Sequence, residues 1–318
     1  MAAKQASERA FQRLTSEELA ALDLSIPYDA SHSRTCNSDK LGIAVLRWYF
    51  GDNWLKKYIY NTRSETFLNQ IGSVDVLEHK RLRRIFLAEM LYNLQRVRNF
   101  ALCWDELYIG KIESTYAVLD IVKLLYTKAI DIGLRVCFIP TAKHKGRRRP
   151  DFLISFSDGA RAFGEVKSKQ ETTDVTIAKL KDSLSDAKEQ LPKRSPGFVF
   201  VKVHKTHADN EYFSNEMERL AVRSLSRSPW VAAINYIYTH QAARVDKLGY
   251  SVGEEILAAN EVHNPSCKFQ RFEWREIFPP SEKMPPPGMD YNGQPNWQRM
   301  IWPAKIDPTL PRGRGKET

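Results

Sequence analysis

Pro150-Asp151-Phe152-Leu153-Ile154-Ser155-Phe156 runs into Ser157-Asp158-Gly159 and on into Ala160-Arg161-Ala162-Phe163-Gly164-Glu165-Val166-Lys167. Two short strand-like runs flank an Asp-Gly turn signal, so the stretch predicts a β-hairpin. Its register decides what the hairpin can do. A two-residue loop at Asp158-Gly159 pairs Ser157 with Ala160, sets Asp151 opposite Val166 and turns Glu165 to the other face. A three-residue loop, Ser157-Asp158-Gly159, pairs Phe156 with Ala160 and Asp151 with Glu165, and puts Gly159 at the left-handed position such loops favour. In that register Phe152, Ile154, Phe156, Ala162 and Val166 make an apolar face, while Asp151, Glu165 and Lys167 gather at one end of the other. Burial and chemistry select the same pairing, and the three-residue loop is the expectation.

Glu165 and Lys167 stand two apart, so on a strand both side chains leave the same face. Two converging carboxylates make a hard oxygen site suited to Mg²⁺. A neighbouring ammonium can orient a water and stabilise charge growing on a phosphate. Pro150-Asp151 followed by Glu165-Val166-Lys167 resembles the PD-(D/E)xK nuclease superfamily, over residues 111–204 or so. The resemblance implies an α/β (α+β) fold with a restriction-endonuclease-like αβββαβ core. It implies a Mg²⁺-dependent endodeoxyribonuclease, with Mn²⁺ as a substitute ion and double-stranded DNA as partner. Asp151 and Glu165 would ligate the metal, Glu113 would join them directly or through water, and the backbone carbonyl of Val166 would complete the site. Lys167 would position or deprotonate the attacking water, and a 3′ oxygen would leave. The Pro-Asp-Phe-Leu hairpin and Glu-Val-Lys are also similar to transposon-encoded TnsA-type endonucleases, from which the long helical N-terminal part departs. Restriction and anti-phage defence enzymes are equally consistent homes.

The elements around the hairpin follow from periodicity. Upstream, Lys111 to Ile132 carries Ile112, Tyr116, Leu119, Val122 and Tyr126 at helical spacing, with Val118, Ile121, Leu124 and Leu125 widening the apolar face. Glu113 lies in its first turn, where an acid also complements the helix dipole, so both readings of Glu113 stand. Leu134 to Ile139 reads as a short strand. The link from Thr141 to Arg149 holds Lys143, His144, Lys145, Arg147, Arg148 and Arg149 and no acid. Such a run is usually a solvated loop; abutting Asp151, it is read here as steering phosphate, with Lys143, Lys145, Arg147, Arg148 and Arg149 as nucleic-acid contacts. Downstream, Thr172, Thr173 or Asp174 can cap a helix whose face is Ile177, Leu180, Leu184, Ala187 and Leu191. Gly197 to Val203 is β-branched and apolar, suited to a sheet interior. Helix, strand, hairpin, helix, strand is the αβββαβ order. The resemblance implies that Gln190 or Lys188, on the second helix, can approach the substrate; both are read here as solvated surface.

The N-terminal part reads as mainly helical. Thr15-Ser16-Glu17-Glu18 is a capping box opening a helix over Glu17–Leu22. Residues 29–39 read as a loop, Leu41–Phe50 as a buried helix, and Trp54–Tyr60 as either a helical turn or a strand. Glu78–Phe100 is the longest helical pattern, with Leu82, Ile85, Phe86, Met90 and Val97 inward and Arg81, Arg83, Arg84, Arg96 and Arg98 as a solvated basic decoration or a nucleic-acid contact. Beyond the core, His204 and His207 lack further ligands for zinc and read as loop residues. Glu211–Arg227 reads as a helix, Trp230–Tyr238 as a strand, and Phe269–Ile277 as its partner. The segment 279–318 is Pro-rich, with Trp297 and Trp302 available for packing and its last residues expected to be disordered. The expected domains are therefore 1–105, 106–204, 205–278 and 279–318.

Composition narrows the function classes. A 42% hydrophobic, 11% aromatic chain of 318 residues forms globular cores and is not a disordered chain. A net charge of +10 favours a polyanionic partner. Cys36, Cys103, Cys137 and Cys267 have no CxxC spacing, which argues against a zinc ribbon and fits free thiols in a reducing cytoplasm. No apolar run reaches membrane-span length and no secretory leader is read at the start. The competing classes are a non-catalytic nucleic-acid-binding or scaffold subunit on the same fold, and a protein–protein adaptor acting through the aromatic tail.

Overall fold

The computed structural model describes residues 11–27, 34–63, 65–132, 135–140, 149–169, 175–204, 207, 210–245 and 251–269. They form a mixed α/β protein with eight helices and six strands among the described residues. The helices are α1 Ser16–Ser25, α2 Arg34–Phe50, α3 Asp52–Tyr58, α4 Val74–Leu94, α5 Phe100–Tyr108, α6 Ile112–Ile132, α7 Ile177–Gln190 and α8 Glu211–Leu225. The strands are β1 Arg135–Phe138, β2 Phe152–Ser155, β3 Arg161–Lys169, β4 Gly197–Val203, β5 Val231–Val245 and β6 Ser251–His263. The chain divides into two compact units: the described residues up to Gln95 and those of Arg244–Gly253 belong to one, those of Arg96–Ala243 and from Glu254 to Phe269 to the other. No described helix is long and apolar enough to cross a membrane.

The first unit is helical. Thr15 Oγ1 accepts the Glu18 N–H at 3.2 Å while Glu18 Oε2 accepts the Thr15 N–H at 2.8 Å, the reciprocal cap that starts α1. Gly42 lets α2 lie close against α4, since a Cβ there would stand 3.3 Å from the Ile85 backbone. Buried charge locks this pair of helices. Arg84 is 2% exposed, and its Nε donates to Asp39 Oδ1 at 2.6 Å while Nη1 donates to the Leu68 carbonyl at 2.8 Å. Lys80, 3% exposed, donates to Glu65, Asn69 and the Ile71 carbonyl. The cationic guanidinium of Arg83 stacks over Phe67 at 4.1 Å. Arg84 is therefore a structural counter-ion, not part of a solvated or nucleic-acid-binding stripe. Its partner Asp39 sits in α2, which begins at Arg34, inside the segment read from sequence as a loop. The ambiguous Trp54–Tyr60 segment is helical as far as Tyr58.

The helical pattern read over Glu78–Phe100 is two helices. α4 ends at Leu94, and Asn99 takes a left-handed conformation (φ 66°) before α5 restarts at Phe100. The backbone between them is spent on the sheet: the Arg98 carbonyl accepts the Phe138 N–H at 3.1 Å, and Asn99 Nδ2 donates to the Phe138 carbonyl at 2.8 Å. Helix periodicity cannot register such a competing pairing.

The second unit is built on a single sheet of order β1-β2-β3-β4-β5-β6. β1/β2 and β2/β3 are antiparallel, β3/β4 and β4/β5 parallel. The sequence α6-β1-β2-β3-α7-β4 has the order read from the chain. All seven residues of β4 are buried, as a central strand covered on both faces requires. Alternation assigns those faces. Phe163, Val199, Val201, Ile234 and Tyr236 pack with Leu180, Leu184 and Ala187 of α7 and Met217, Ala221 and Leu225 of α8. The opposite face holds Phe152, whose ring lies 5.8 Å from that of Phe200, and Lys202, which is fully buried and salt-bridged to Asp120 of α6 beneath the Tyr116 ring. α7 is capped by Thr176, whose Oγ1 accepts the Lys179 N–H at 3.2 Å; the caps expected at Thr172, Thr173 or Asp174 lie outside the described residues. β5 pairs with β6; the expected partner Phe269–Ile277, Phe269 apart, and the tail 279–318 lie outside the described residues.

β2 pairs with β3 as Phe152↔Gly164, Leu153↔Phe163, Ile154↔Ala162 and Ser155↔Arg161. Phe156 N–H donates to the Ala160 carbonyl at 2.9 Å, and Gly159 has φ 83°. This is the three-residue loop, and it continues to Asp151 opposite Glu165. Gly164 is needed there because the Phe152 ring fills the space of its missing side chain, with Cζ 2.1 Å from where a Cβ would stand.

Gly164→Ala should therefore destabilise the protein by at least about 1–3 kcal/mol, the scale of an overpacked core. Phe152→Leu should relieve part of that loss in the double variant. Urea denaturation of the four proteins of this cycle checks it; additive losses would mean that ring and backbone do not compete for one space.

Candidate active site

Asp151 and Glu165 face each other across the hairpin on the side of the sheet covered by α7. Three groups organise them. The Val166 N–H donates to Asp151 Oδ2 at 2.7 Å. Lys167 Nζ lies 2.8 Å from Glu165 Oε1. Gln190, the last residue of α7, donates from Nε2 to the same Glu165 Oε1, also at 2.8 Å. Glu165 is 3% exposed, yet no donor reaches its Oε2. One oxygen of this carboxylate carries two donors and the other none.

Electrostatics follow from that burial. Desolvation raises the Asp151 carboxyl to about 6, against the Val166 N–H and the Lys167 charge, which pull it down, and with Glu106 of α5 pushing it up. Desolvation, and then the negative charge of Asp151, raise Glu165 further, to about 9, with Lys167 opposing. The two carboxyl groups are close enough to hydrogen-bond each other, so near neutral pH they hold a shared proton. Removing that proton leaves two carboxylates that one ammonium cannot neutralise.

The other expected site residues fall differently. Glu113, in the first turn of α6, accepts a 2.6 Å hydrogen bond from Ser168 Oγ. Ser168 follows Lys167, so its side chain leaves β3 on the opposite face from Glu165 and Lys167. The structure thus does not bring Glu113 to the pair. Among the described residues no three Asp, Glu, His or Cys side chains gather as a metal-holding group. Val166 meets Asp151 through its N–H, while its side chain is buried in the core. Arg149 is exposed two residues before Asp151; Lys143, Lys145, Arg147 and Arg148 lie outside the described residues. His207, read from sequence as a loop residue, is helical, and its ring lies tilted against that of Phe213 with 4.7 Å between centroids.

Two further residues join the site, one read from sequence as surface and one passed over. Gln190 had the look of helix surface, because nothing local marks it; its partner is 25 residues away. Glu106 is held between Lys111 Nζ, at 3.1 Å, and Thr115 Oγ1, and its charge acts on Asp151. No sequence signal ties it to the hairpin. Comparison with protein-family models, with curated proteins and with solved structures finds no match.

Both carboxyl groups have folded-state values above the ordinary unfolded ones, near 3.9 for Asp and 4.3 for Glu. The folded protein therefore binds more protons than the unfolded chain from about pH 4 to about pH 9. Their contribution to stability is full below that window and is lost as pH rises through it. Without divalent ions, wild type should lose stability across this window relative to Glu165→Gln, which has no proton to give up at that position. Thermal melts of both proteins at matched pH check this, and parallel pH profiles would contradict it.

Proposed function

We propose that the protein is a metal-dependent phosphodiester hydrolase, a DNA endonuclease of a mobile-element or anti-phage/restriction system, built on a restriction-endonuclease-like core. The observation that carries this is a buried pair of facing carboxyl groups that one ammonium cannot neutralise, with no donor from elsewhere in the chain reaching Glu165 Oε2. An unsatisfied buried acceptor costs about 1–3 kcal/mol, more when charged. A small divalent cation removes that cost. Mg²⁺ is commonly held by one or two carboxylates, with waters and substrate phosphate filling the rest of its shell, so the donor set of Asp151 and Glu165 fits it. Mn²⁺ accepts the same oxygen donors. The Val166 carbonyl would be a further ligand in this proposal, and Glu113, bonded to Ser168, would join directly or through water.

The ion, when bound, lowers the pKa of water and polarises a phosphoryl oxygen. The chain's own groups do the remaining work. Val166 N–H orients Asp151. Lys167 and Gln190 hold Glu165 by Oε1 and leave Oε2 open. Lys167, 22% exposed, is the group of this cluster that reaches solvent as an ammonium, placed to orient the attacking water and to screen charge on the phosphate. The water oxygen bonds to phosphorus, the bond to the 3′ oxygen breaks, and that oxygen leaves with a proton. The competing reading, a non-catalytic nucleic-acid-binding or scaffold subunit, draws on Glu113: its engagement with Ser168 leaves two carboxylates where the resemblance implies three.

Supercoiled plasmid should be nicked or linearised with Mg²⁺ or Mn²⁺ and left intact in EDTA. Lys167→Ala should keep its Mg²⁺ affinity by calorimetry while cleavage slows by at least on the order of 10². Asp151→Ala should lose both. Mg²⁺ uptake near neutral pH should release protons, seen as a titration enthalpy that varies with the ionisation enthalpy of the buffer. Wild-type cleavage rates in folded Lys167→Ala would remove Lys167 from the mechanism, and proton-neutral Mg²⁺ binding would place the ion elsewhere.

A further inference from the structure

Three loops meet beside the N-terminal ends of β4 and β5. The Gly197 N–H donates to the Trp230 carbonyl at 2.9 Å, and the Lys268 N–H donates to the Pro229 carbonyl at 2.9 Å. The Trp230 indole N–H donates to the Lys188 carbonyl at 3.4 Å, tying in the last turn of α7. Asn264, 6% exposed, donates from one amide nitrogen to the carbonyls of Leu225, Ser228 and Val231 at 3.3, 3.1 and 2.8 Å. These bonds make the loops one platform whose backbone is set before any partner arrives.

The platform is basic. Lys193, Arg194, Arg227 and Lys268 are exposed on it, and Lys188 is half-buried within it. Among the described residues none of these five forms an ion pair, although Asp186 and Glu189 stand on the same last turns of α7. Lys193 Nζ is held 5.3 Å over the ring of Trp230. Lys188 Nζ points at the Ser224 carbonyl, 3.4 Å away, and burial and the charge of Arg227 lower its pKa against the charge of Glu189, which raises it. A solvated surface gains nothing from crowding like charges in this way. A row of phosphates neutralises them.

The platform also adjoins the carboxylate pair. Gln190 donates to Glu165, and Lys188 is two residues before it on α7. Glu165 pairs with Val199, two residues along β4 from Gly197, which is about 7 Å. A DNA duplex presents one phosphate charge per ~1.7 Å of axis, so a duplex seated at the pair carries further phosphates at such a separation. We propose that Lys193, Arg194, Arg227 and Lys268 form a backbone-contact surface for duplex DNA, flanking the cut and distinct from the basic run that precedes Asp151. The choice of DNA as polyanion rests on the nuclease reading above.

The test is fluorescence anisotropy of a labelled DNA duplex in EDTA, where binding is read without cleavage. Lys193→Ala/Arg194→Ala/Arg227→Ala removes three exposed cations, and circular dichroism establishes that the variant is folded. The slope of log affinity against log salt should become shallower by up to about 2.7, at ~0.9 per phosphate contact, and affinity at low salt should fall at least on the order of tenfold. An unchanged slope and affinity in the folded variant would overturn the platform. So would tighter binding of wild type to phosphatidylserine vesicles than to duplex. Plasmid nicking is scored separately: a protein that shows the slope change but never nicks plasmid keeps the platform and loses the catalytic reading, and the reverse result loses only the platform.

Discussion

The ring of Phe152 lying over Gly164 is the constraint on which the site depends. It fills the volume a side chain at 164 would need, so β2 and β3 fit together in one register. A slip of one residue would put a side chain under the ring and turn the apolar set of both strands toward the wrong layer. The same register sets Asp151 against Glu165 and brings the Val166 N–H to Asp151 Oδ2. Chemistry at one end of the hairpin is thus fixed by van der Waals contact one residue pair further in.

Both units bury charge, and three of the buried cations are matched by acids. Arg84 has Asp39, Lys80 has Glu65 and two neutral acceptors, and Lys202 has Asp120. Pairs of this kind add little net stability over apolar packing, but removing one partner costs about 3–5 kcal/mol. The carboxylate pair differs. Two acids share one cation and an amide side chain, and one oxygen is left over. Other buried polar atoms also lack a hydrogen-bond partner, both amide atoms of Asn235 among them, but Glu165 Oε2 belongs to a carboxyl group that faces a second one.

What the sequence disclosed follows physical range. The hairpin register was legible because alternation, turn glycine and apolar volume all lie within eighteen consecutive residues, 150–167. The order of helices and strands around it was legible because periodicity is local. Contacts that depend on which layer a helix docks on were not. Glu113 sits where a carboxylate could approach the hairpin, but helix periodicity does not say which sheet face it meets, and it meets Ser168. Gln190 reads as surface until β3 is placed beneath it. Arg84 looks like its exposed neighbours Arg96 and Arg98, because its burial is decided by an aspartate 45 residues away.

The pairing of Lys202 with Asp120 has a consequence for synthesis on the ribosome. The two residues are 82 apart, one on α6 and one on the strand that completes the middle of the sheet. A nascent chain that has emerged only as far as the hairpin lacks Lys202, so Asp120 keeps its water until β4 is added. The ion pair therefore contributes to the docking of α6 only once the middle strand of the sheet is in place.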